Sequence, residues 1–200
     1  VNAVDRPATY NWSPGWADAS DISRAALLGS SVLVAASPGL VRGRWSETLI
    51  LAAMAAETFL AVGGVTALAK AAVRRERPYL YNTDLGLEER LAAGVDPRGS
   101  FISGHATAAF AAAAFVSRVA TDMYGPSTGT KLVWAASLSL AALTACARVE
   151  AGLHFPTDAV VGAAAGFAIG YLVPALHRRG RSDRLTVAVG PGFVGVGLRF

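Results

Sequence analysis

The chain has 200 residues; 53% are hydrophobic and only 16% are charged, with 18 Lys and Arg against 14 Asp and Glu for a formal net charge of +4. That length suits one domain, and so low a charge content, against about 25% in soluble globular chains, goes with a mean hydropathy of +0.41. The arginines form no basic helix or stripe, which excludes a nucleic-acid reader and leaves a membrane surface or an anionic substrate as partner, and the single Cys146 excludes an intrachain disulfide.

Residues 1–20 are polar and aromatic, with Tyr10, Trp12 and Trp16, and Asn11 to Gly15 (N-W-S-P-G) reads as turns. Asp21 is predicted to cap the first helix. Five apolar runs follow, at 25–41, 48–69, 101–117, 132–147 and 159–176. Their alanine-rich composition favours helices over strands. A bilayer span needs about 20 apolar residues, with roughly 17 as the short limit. The second run reaches that length if Glu57 is tolerated inside it; Glu57 is read as a structural acid, since no motif includes it. Arg42, Arg44, Arg118, Arg178, Arg179, Arg181 and Arg184 fall between runs. With helices alternating in direction they lie on one side, as on a cytoplasmic face. Trp12, Trp16, Trp45, Tyr124 and Trp134 stand near run ends, as interfacial aromatics do. A soluble bundle with helices apolar all round is the other architecture these runs allow.

Residues 79–100 form a long polar connection with a short helix predicted near Glu88 to Ala93, and loops of this length are often functional lids. From Leu185 to Phe200 the pattern changes to alternation, predicting a hairpin turned at Gly190 to Gly192. The fold class expected is all-α: one domain over residues 1–200, a bundle of five to six helices with a small C-terminal β-hairpin. Residues 1–20 make an N-terminal approach segment, 21–180 the helical core and 181–200 the tail hairpin.

Three clusters of ionisable residues punctuate the runs. In K-A-A-V-R-R-E-R-P, Lys70, Arg74 and Arg77 share one helical face. Three cations there repel unless an anion lies between them, although a helix C-terminus also favours basic residues. In S-G-H, Ser103 is a plausible N-cap and Gly104 lets backbone approach a ligand. Free N–H groups at a helix start bind anions, and His105 stands beside them; an ordinary cap with an incidental histidine is the plainer reading. In R-V-E-A-G-L-H-F-P-T-D, Pro156 suits a first helical turn. Asp158 then lies within reach of one ring nitrogen of His154, which would fix the tautomer and leave the other nitrogen as base or nucleophile. Simple helix capping by His154 and Asp158 would give the same letters. His177, in H-R-R-G-R, reads as part of a solvated basic face.

The order K-x6-R-P, S-G-H, R-x5-H-x3-D, separated by apolar helices, resembles the type 2 phosphatidic acid phosphatase superfamily. That superfamily includes lipid phosphatases, bacterial class A acid phosphatases and vanadium haloperoxidases. The resemblance covers residues 70–158 through motifs. Two positions depart from the family pattern, Ile102 where Pro usually precedes S-G-H and Ala147 where Ser usually precedes Arg. The resemblance implies that His154 attacks phosphorus and forms a phosphohistidine, that Asp158 orients and stabilises it, and that His105 protonates the leaving oxygen. It implies further that Lys70, Arg77, Ser103, Gly104 and Arg148 hold the non-bridging oxygens. Arg74 and Arg75 lie outside the matched positions and receive no catalytic role.

The function expected is that of an acid phosphatase or lipid phosphate phosphatase, hydrolysing a phosphomonoester or pyrophosphate without metal or other cofactor. Fixed cations and N–H donors can stabilise the charge that spreads over the equatorial oxygens. The expected partners are a membrane and a lipid phosphate or small phosphomonoester. The expected location is the bacterial inner membrane with the site facing the periplasm, or a soluble periplasmic form. Three alternatives use the same residues: a vanadate-dependent haloperoxidase with His154 as vanadate ligand, a metal site of His105, His154 and Asp158, and a non-catalytic membrane protein that binds lipid phosphate.

Overall fold

A computed structural model describes residues 1–180, 185–190 and 193–198. The first helix, α1 (Pro14–Arg42), starts earlier than its apolar run. Ser13 accepts a hydrogen bond from the Trp16 amide at 3.4 Å, and Pro14 occupies the first turn, where its missing N–H has no cost. Asp21 therefore lies inside α1 and caps nothing; the Ser-Pro pair read as a turn is the helix start. Gly43, at φ 64°, ends α1, and α2 (Trp45–Val73) returns antiparallel to it.

The connection that follows holds a 3-10 turn (Pro78–Tyr81) and the short α3 (Leu87–Ala92). Next come α4 (Gly104–Tyr124), capped by Ser103, and α5 (Thr128–Glu150), opened by a reciprocal Ser127–Thr130 capping box. Last is α6 (Pro156–Gly180), with proline in its first turn. Another 3-10 turn (Arg6–Tyr10) precedes α1 and packs on the one at Pro78–Tyr81. The all-α bundle expected from the runs is present, with six α-helices among the described residues. Beyond it, β1 (Leu185–Gly190) pairs antiparallel with β2 (Phe193–Leu198) in the register Leu185↔Leu198 to Gly190↔Phe193. The predicted turn residues Pro191 and Gly192, like Arg181 and Arg184, lie outside the described residues.

Helix α4 is the axis of the bundle. It packs against α1, α2, α5 and α6, and 12 of its 21 residues are buried, whereas α2 buries only Thr58 and Val62. Alanine makes this possible, because a helix surrounded on all sides has room only for small side chains. Helix α6 comes closest. A Cβ on Gly162, Gly166 or Gly170 would sit 2.8, 2.0 and 2.1 Å from the carbonyl oxygens of Ser103, Thr107 and Ala111, so only glycine allows the two backbones to meet.

Outward faces carry exposed apolar residues such as Val32, Leu33, Leu60, Leu68, Leu132 and Leu172. Four helical segments, Pro14–Arg42, Trp45–Tyr81, Thr128–Glu150 and Pro156–His177, are long and apolar enough to cross a membrane. The up-and-down connection gathers the starts of α1, α4 and α6 with the ends of α2 and α5 at one end of the bundle. Arg42 and Arg44 lie at the other.

Candidate active site

The segment between α5 and α6 sets the position of His154. The Arg148 carbonyl, at the end of α5, accepts from the amides of Leu153 and His154 at 3.2 and 3.3 Å. The tight turn this requires passes through Gly152 at φ 71°, where a Cβ would also lie 2.1 Å from the Asn11 carbonyl oxygen. His154 is 1% exposed. Its Nδ1 is 2.7 Å from the Ser100 carbonyl oxygen, which can only accept, so Nδ1 carries the proton and Nε2 keeps its lone pair. That nitrogen lies 3.2 Å from Nη1 of Arg77.

Asp158 does not bond the imidazole. Its Oδ2 accepts from the Ser100 hydroxyl at 2.5 Å and from the Phe155 amide at 3.1 Å, and its Oδ1 accepts from Nη1 of Arg75 at 2.7 Å. The expected direct contact fails for a physical reason. The ring nitrogen on that side is already satisfied by a carbonyl, while a helix start offers an unpaired amide to any nearby carboxylate. Ser100 therefore joins the two residues, its carbonyl on His154 and its hydroxyl on Asp158.

Arg75, outside the motif positions, stands in this network. Its Nη2 donates to Asp5 Oδ2 at 2.7 Å, its Nη1 to Thr157 Oγ1 at 2.8 Å as well as to Asp158, and its guanidinium lies 4.0 Å from the Phe155 ring centre. Asp5, fully buried, also accepts from the Thr157 amide and hydroxyl and from Asn2.

The cations come from three elements. Arg77, 4% exposed, donates from Nε to the Asp96 carbonyl and from Nη1 to the Leu153 carbonyl, both at 2.7 Å, which aims it at His154. Arg148, also 4% exposed, donates to the Ser20 hydroxyl at 3.1 Å, and its buried Nε has no hydrogen-bond partner among the described residues. Lys70 is half-buried in the last turn of α2. All three charges act on His154. Burial, then Arg77, Arg148 and Lys70, hold its imidazole well below the ordinary histidine range, against the opposing hydrogen bond to Ser100. Cations of the first and third clusters thus converge on one ring.

His105, in the first turn of α4, pairs through Nε2 with Asp21 Oδ1 at 2.5 Å, and the charge of Arg148 reaches it as well as His154. Ser103 caps α4, its hydroxyl oxygen accepting from the Ala106 amide at 3.4 Å, and its own amide donates to the Asp158 carbonyl at 3.1 Å. That leaves the Ser103 hydroxyl proton, not its amide, as a donor. Gly104 begins the helix, with only Thr66 Cγ2 near its would-be Cβ. Arg74 is exposed at the C-cap of α2. Glu57 pairs with His177 at 3.3 Å on an outer flank, and Cys146 is exposed on α5. Among the described residues no three His, Cys, Asp or Glu side chains are placed to hold a metal ion; His105 and Asp158 already face Asp21 and Arg75.

Ser100, Arg75, Asp5, Asp21 and Ser20 are the parts that motif spacing missed. Their hydrogen bonds to the side chains of the clusters span 54 to 152 positions, and only Arg75, inside the first cluster, carried a sequence signal.

The sequence profile of the PAP2 superfamily matches residues 47–182. No curated protein matches the chain. Two solved structures share its fold. One is the first transmembrane PAP2 type phosphatidylglycerolphosphate phosphatase from Bacillus subtilis, at 21% identity and a TM-score of 0.62 over 91% of this chain and 86% of that one. The other is Aquifex aeolicus LpxE, at 20% identity and a TM-score of 0.55 over 85% of this chain and 92% of that one.

Proposed function

Because the chain belongs to the PAP2 superfamily, we propose that it is a metal-independent phosphatase that hydrolyses a phosphomonoester or pyrophosphate carried by a lipid. The observation that supports this most is the state of His154. It is a buried imidazole with Nδ1–H held by a carbonyl and its Nε2 lone pair turned toward Arg77. A nucleophile needs that lone pair, and burial among cations keeps it unprotonated.

In this reading Nε2 attacks phosphorus and forms an N–P bond while the ester P–O bond breaks. His105 gives its proton to the leaving oxygen. Water then attacks the phosphohistidine with His105 taking its proton, and inorganic phosphate leaves. Arg77, Arg148, Lys70, the Ser103 hydroxyl and the free amides near Gly104 hold the non-bridging oxygens. The unpaired Nε of buried Arg148 is a donor of the kind an oxyanion would take. Three side-chain cations supply the positive charge that other phosphoryl-transfer sites obtain from a metal ion. Asp158, through Ser100, fixes the ring and stabilises the imidazolium that develops.

The lipid part of the proposal draws on the four span-length helices and on the similarity to a transmembrane lipid phosphatase. The chain then sits in the inner membrane of a bacterial envelope as one domain. The end rich in Arg42 and Arg44 faces inward and the site faces the periplasm.

The test is phosphate release from lipid phosphates in mixed micelles with a chelator present. Activity is expected without divalent metal, inhibited by vanadate and lost in His154→Ala. Turnover by His154→Ala, or strict dependence on added metal, would overturn the mechanism.

A further inference from the structure

A carboxylate outside every motif completes the charge balance at His154. Arg75 lies behind Asp158 at 2.7 Å, and a guanidinium at that distance would cancel most of the charge that Asp158 offers the imidazole. Asp5 occupies the other end of the same guanidinium, also at 2.7 Å. Two carboxylates on one guanidinium leave the trio with one net negative charge. A continuous set of hydrogen bonds carries it to the ring: Asp5 to Arg75, Arg75 to Asp158, Asp158 to the Ser100 hydroxyl, and the Ser100 carbonyl to His154 Nδ1.

We infer that Asp5 is a positioning residue for His154, restoring through Arg75 the negative charge that lets Asp158 support an imidazolium or phosphoimidazolium. The inference rests on the proposed role of His154 as nucleophile, but its physical content is the ring's protonation, which can be read without turnover.

Four observations favour an electrostatic role over simple anchoring. Asp5 is fully buried although it lies only a few residues from the first residue described. It is held by five contacts, from Asn2 (Nδ2), Arg75, the Thr157 amide and hydroxyl, and the Asn2 side-chain oxygen on its own amide. Burial alone would raise its pKa, yet the hydrogen bonds from Arg75, Thr157 and Asn2 bring it below the ordinary aspartate value, so it is ionised at neutral pH. Finally, every charge that acts directly on the ring is positive: Arg77 after α2, Arg148 of α5 and Lys70 of α2. Asp96 reaches Lys70 and Arg77, Asp21 reaches Arg148, and among the described residues Asp158, with Arg75 and Asp5 behind it, opposes them from the α6 side.

The experiment uses the full chain, 15N-labelled at its three histidines in detergent micelles, with the His154 resonances followed through a pH titration. Asp5→Asn keeps the shape and removes the charge. The His154 midpoint is then expected to fall further, by roughly half a unit to one unit, while Asp5→Glu leaves it near wild type. A strap that merely anchors would act in the opposite sense. Loosening it admits water, which raises the midpoint toward the ordinary histidine value. A rise in Asp5→Asn, or no change, overturns the inference.

Asp5→Ser is a second neutral variant. If both neutral variants lose the helical circular dichroism of the wild type, Asp5 is a structural residue and the inference fails. In parallel, Asp5→Asn is expected to lower kcat for lipid phosphate hydrolysis about tenfold with KM within about twofold. A wild type that hydrolyses nothing would refute the phosphatase reading while the titration still decides the role of Asp5.

Discussion

Asp21 of α1 and His105 of α4 meet at 2.5 Å across 84 residues of sequence. The carboxylate can only accept, so Nε2 of His105 donates to it and Nδ1 is the nitrogen left to exchange a proton with a ligand. Asp21 also faces Arg24 at 3.6 Å, within its own helix. If His105 protonates the leaving group, Asp21→Asn removes the carboxylate that stabilises its imidazolium, so less of the acid is present to deliver the proton. The expected loss in kcat is roughly tenfold for an alkyl phosphate, and much smaller for an aryl phosphate whose leaving group needs no proton. Equal losses on both substrates would remove Asp21 and His105 from the leaving-group step.

A pH profile tests His154 separately. Its folded pKa lies well below the ordinary value because of burial and three cations, so the neutral, nucleophilic form persists as pH falls through about 6.5. For an aryl phosphate, whose leaving group needs no proton from His105, and once the substrate's own ionisation is divided out, kcat/KM should stay flat through that region and decline only at lower pH. An acid limb centred near the ordinary histidine value would show that the nucleophile is not this buried ring.

Arg77 holds two backbone carbonyls as well as facing His154, and a lysine reproduces its charge without that geometry. Both Arg77→Lys and Arg77→Ala should cost about 3 to 4 kcal/mol of transition-state stabilisation, a loss of two to three orders of magnitude in kcat/KM. Arg74→Ala, on an exposed cap residue, should stay within about twofold of wild type. Steady-state kinetics on the three variants checks the contrast, and a large effect at Arg74 would count against the site as described.

The glycine contacts between α4 and α6 give a stability prediction. Gly166→Ala places a Cβ 2.0 Å from the Thr107 carbonyl oxygen, backbone that cannot step aside. Overpacking of this kind costs about 1–3 kcal/mol or more. Gly63→Ala, with nothing within 4 Å of its Cβ, should be neutral or slightly stabilising through helix propensity. Thermal unfolding in detergent compares the two, and equal behaviour would deny the close approach of the helices.

Much of this architecture could be read from residue order, because its causes are local. Alanine-rich runs of fixed length make helices, Ser103 before Gly104 makes a cap, and Pro156 makes a first turn. The start of α1 was misread because Ser13-Pro14 serves equally as turn or cap, and flanking tryptophans hid the helical period. Lys70 closes α2 and Arg148 closes α5, whereas Arg77 stands beyond the end of α2 in extended backbone before Pro78, so it reaches His154 from a turn and not from the helical face that its spacing suggested. Which acceptor each donor chooses is a different kind of question. Asp158 prefers Ser100 and Arg75 to the nearby imidazole because the turn before α6 brings an amide and a hydroxyl closer. Asp5 and Asp21 find Arg75 and His105 only after the chain has gone out along α1 and returned along α2, and no short window of sequence records such a meeting.

Five long helices, an odd number, have a consequence for biogenesis. If each crosses the bilayer, the segment carrying Asp5 and the far end of α6 come to rest in different compartments. Residues 1–13 must then lie on the same side as Arg75 and Thr157, the anchors of Asp5. A molecule whose first helix alone failed to cross would strand that carboxylate across the bilayer from its partners. Such a molecule would lose the trio, so the Asp5 contacts form only when α1 has crossed together with the rest of the bundle.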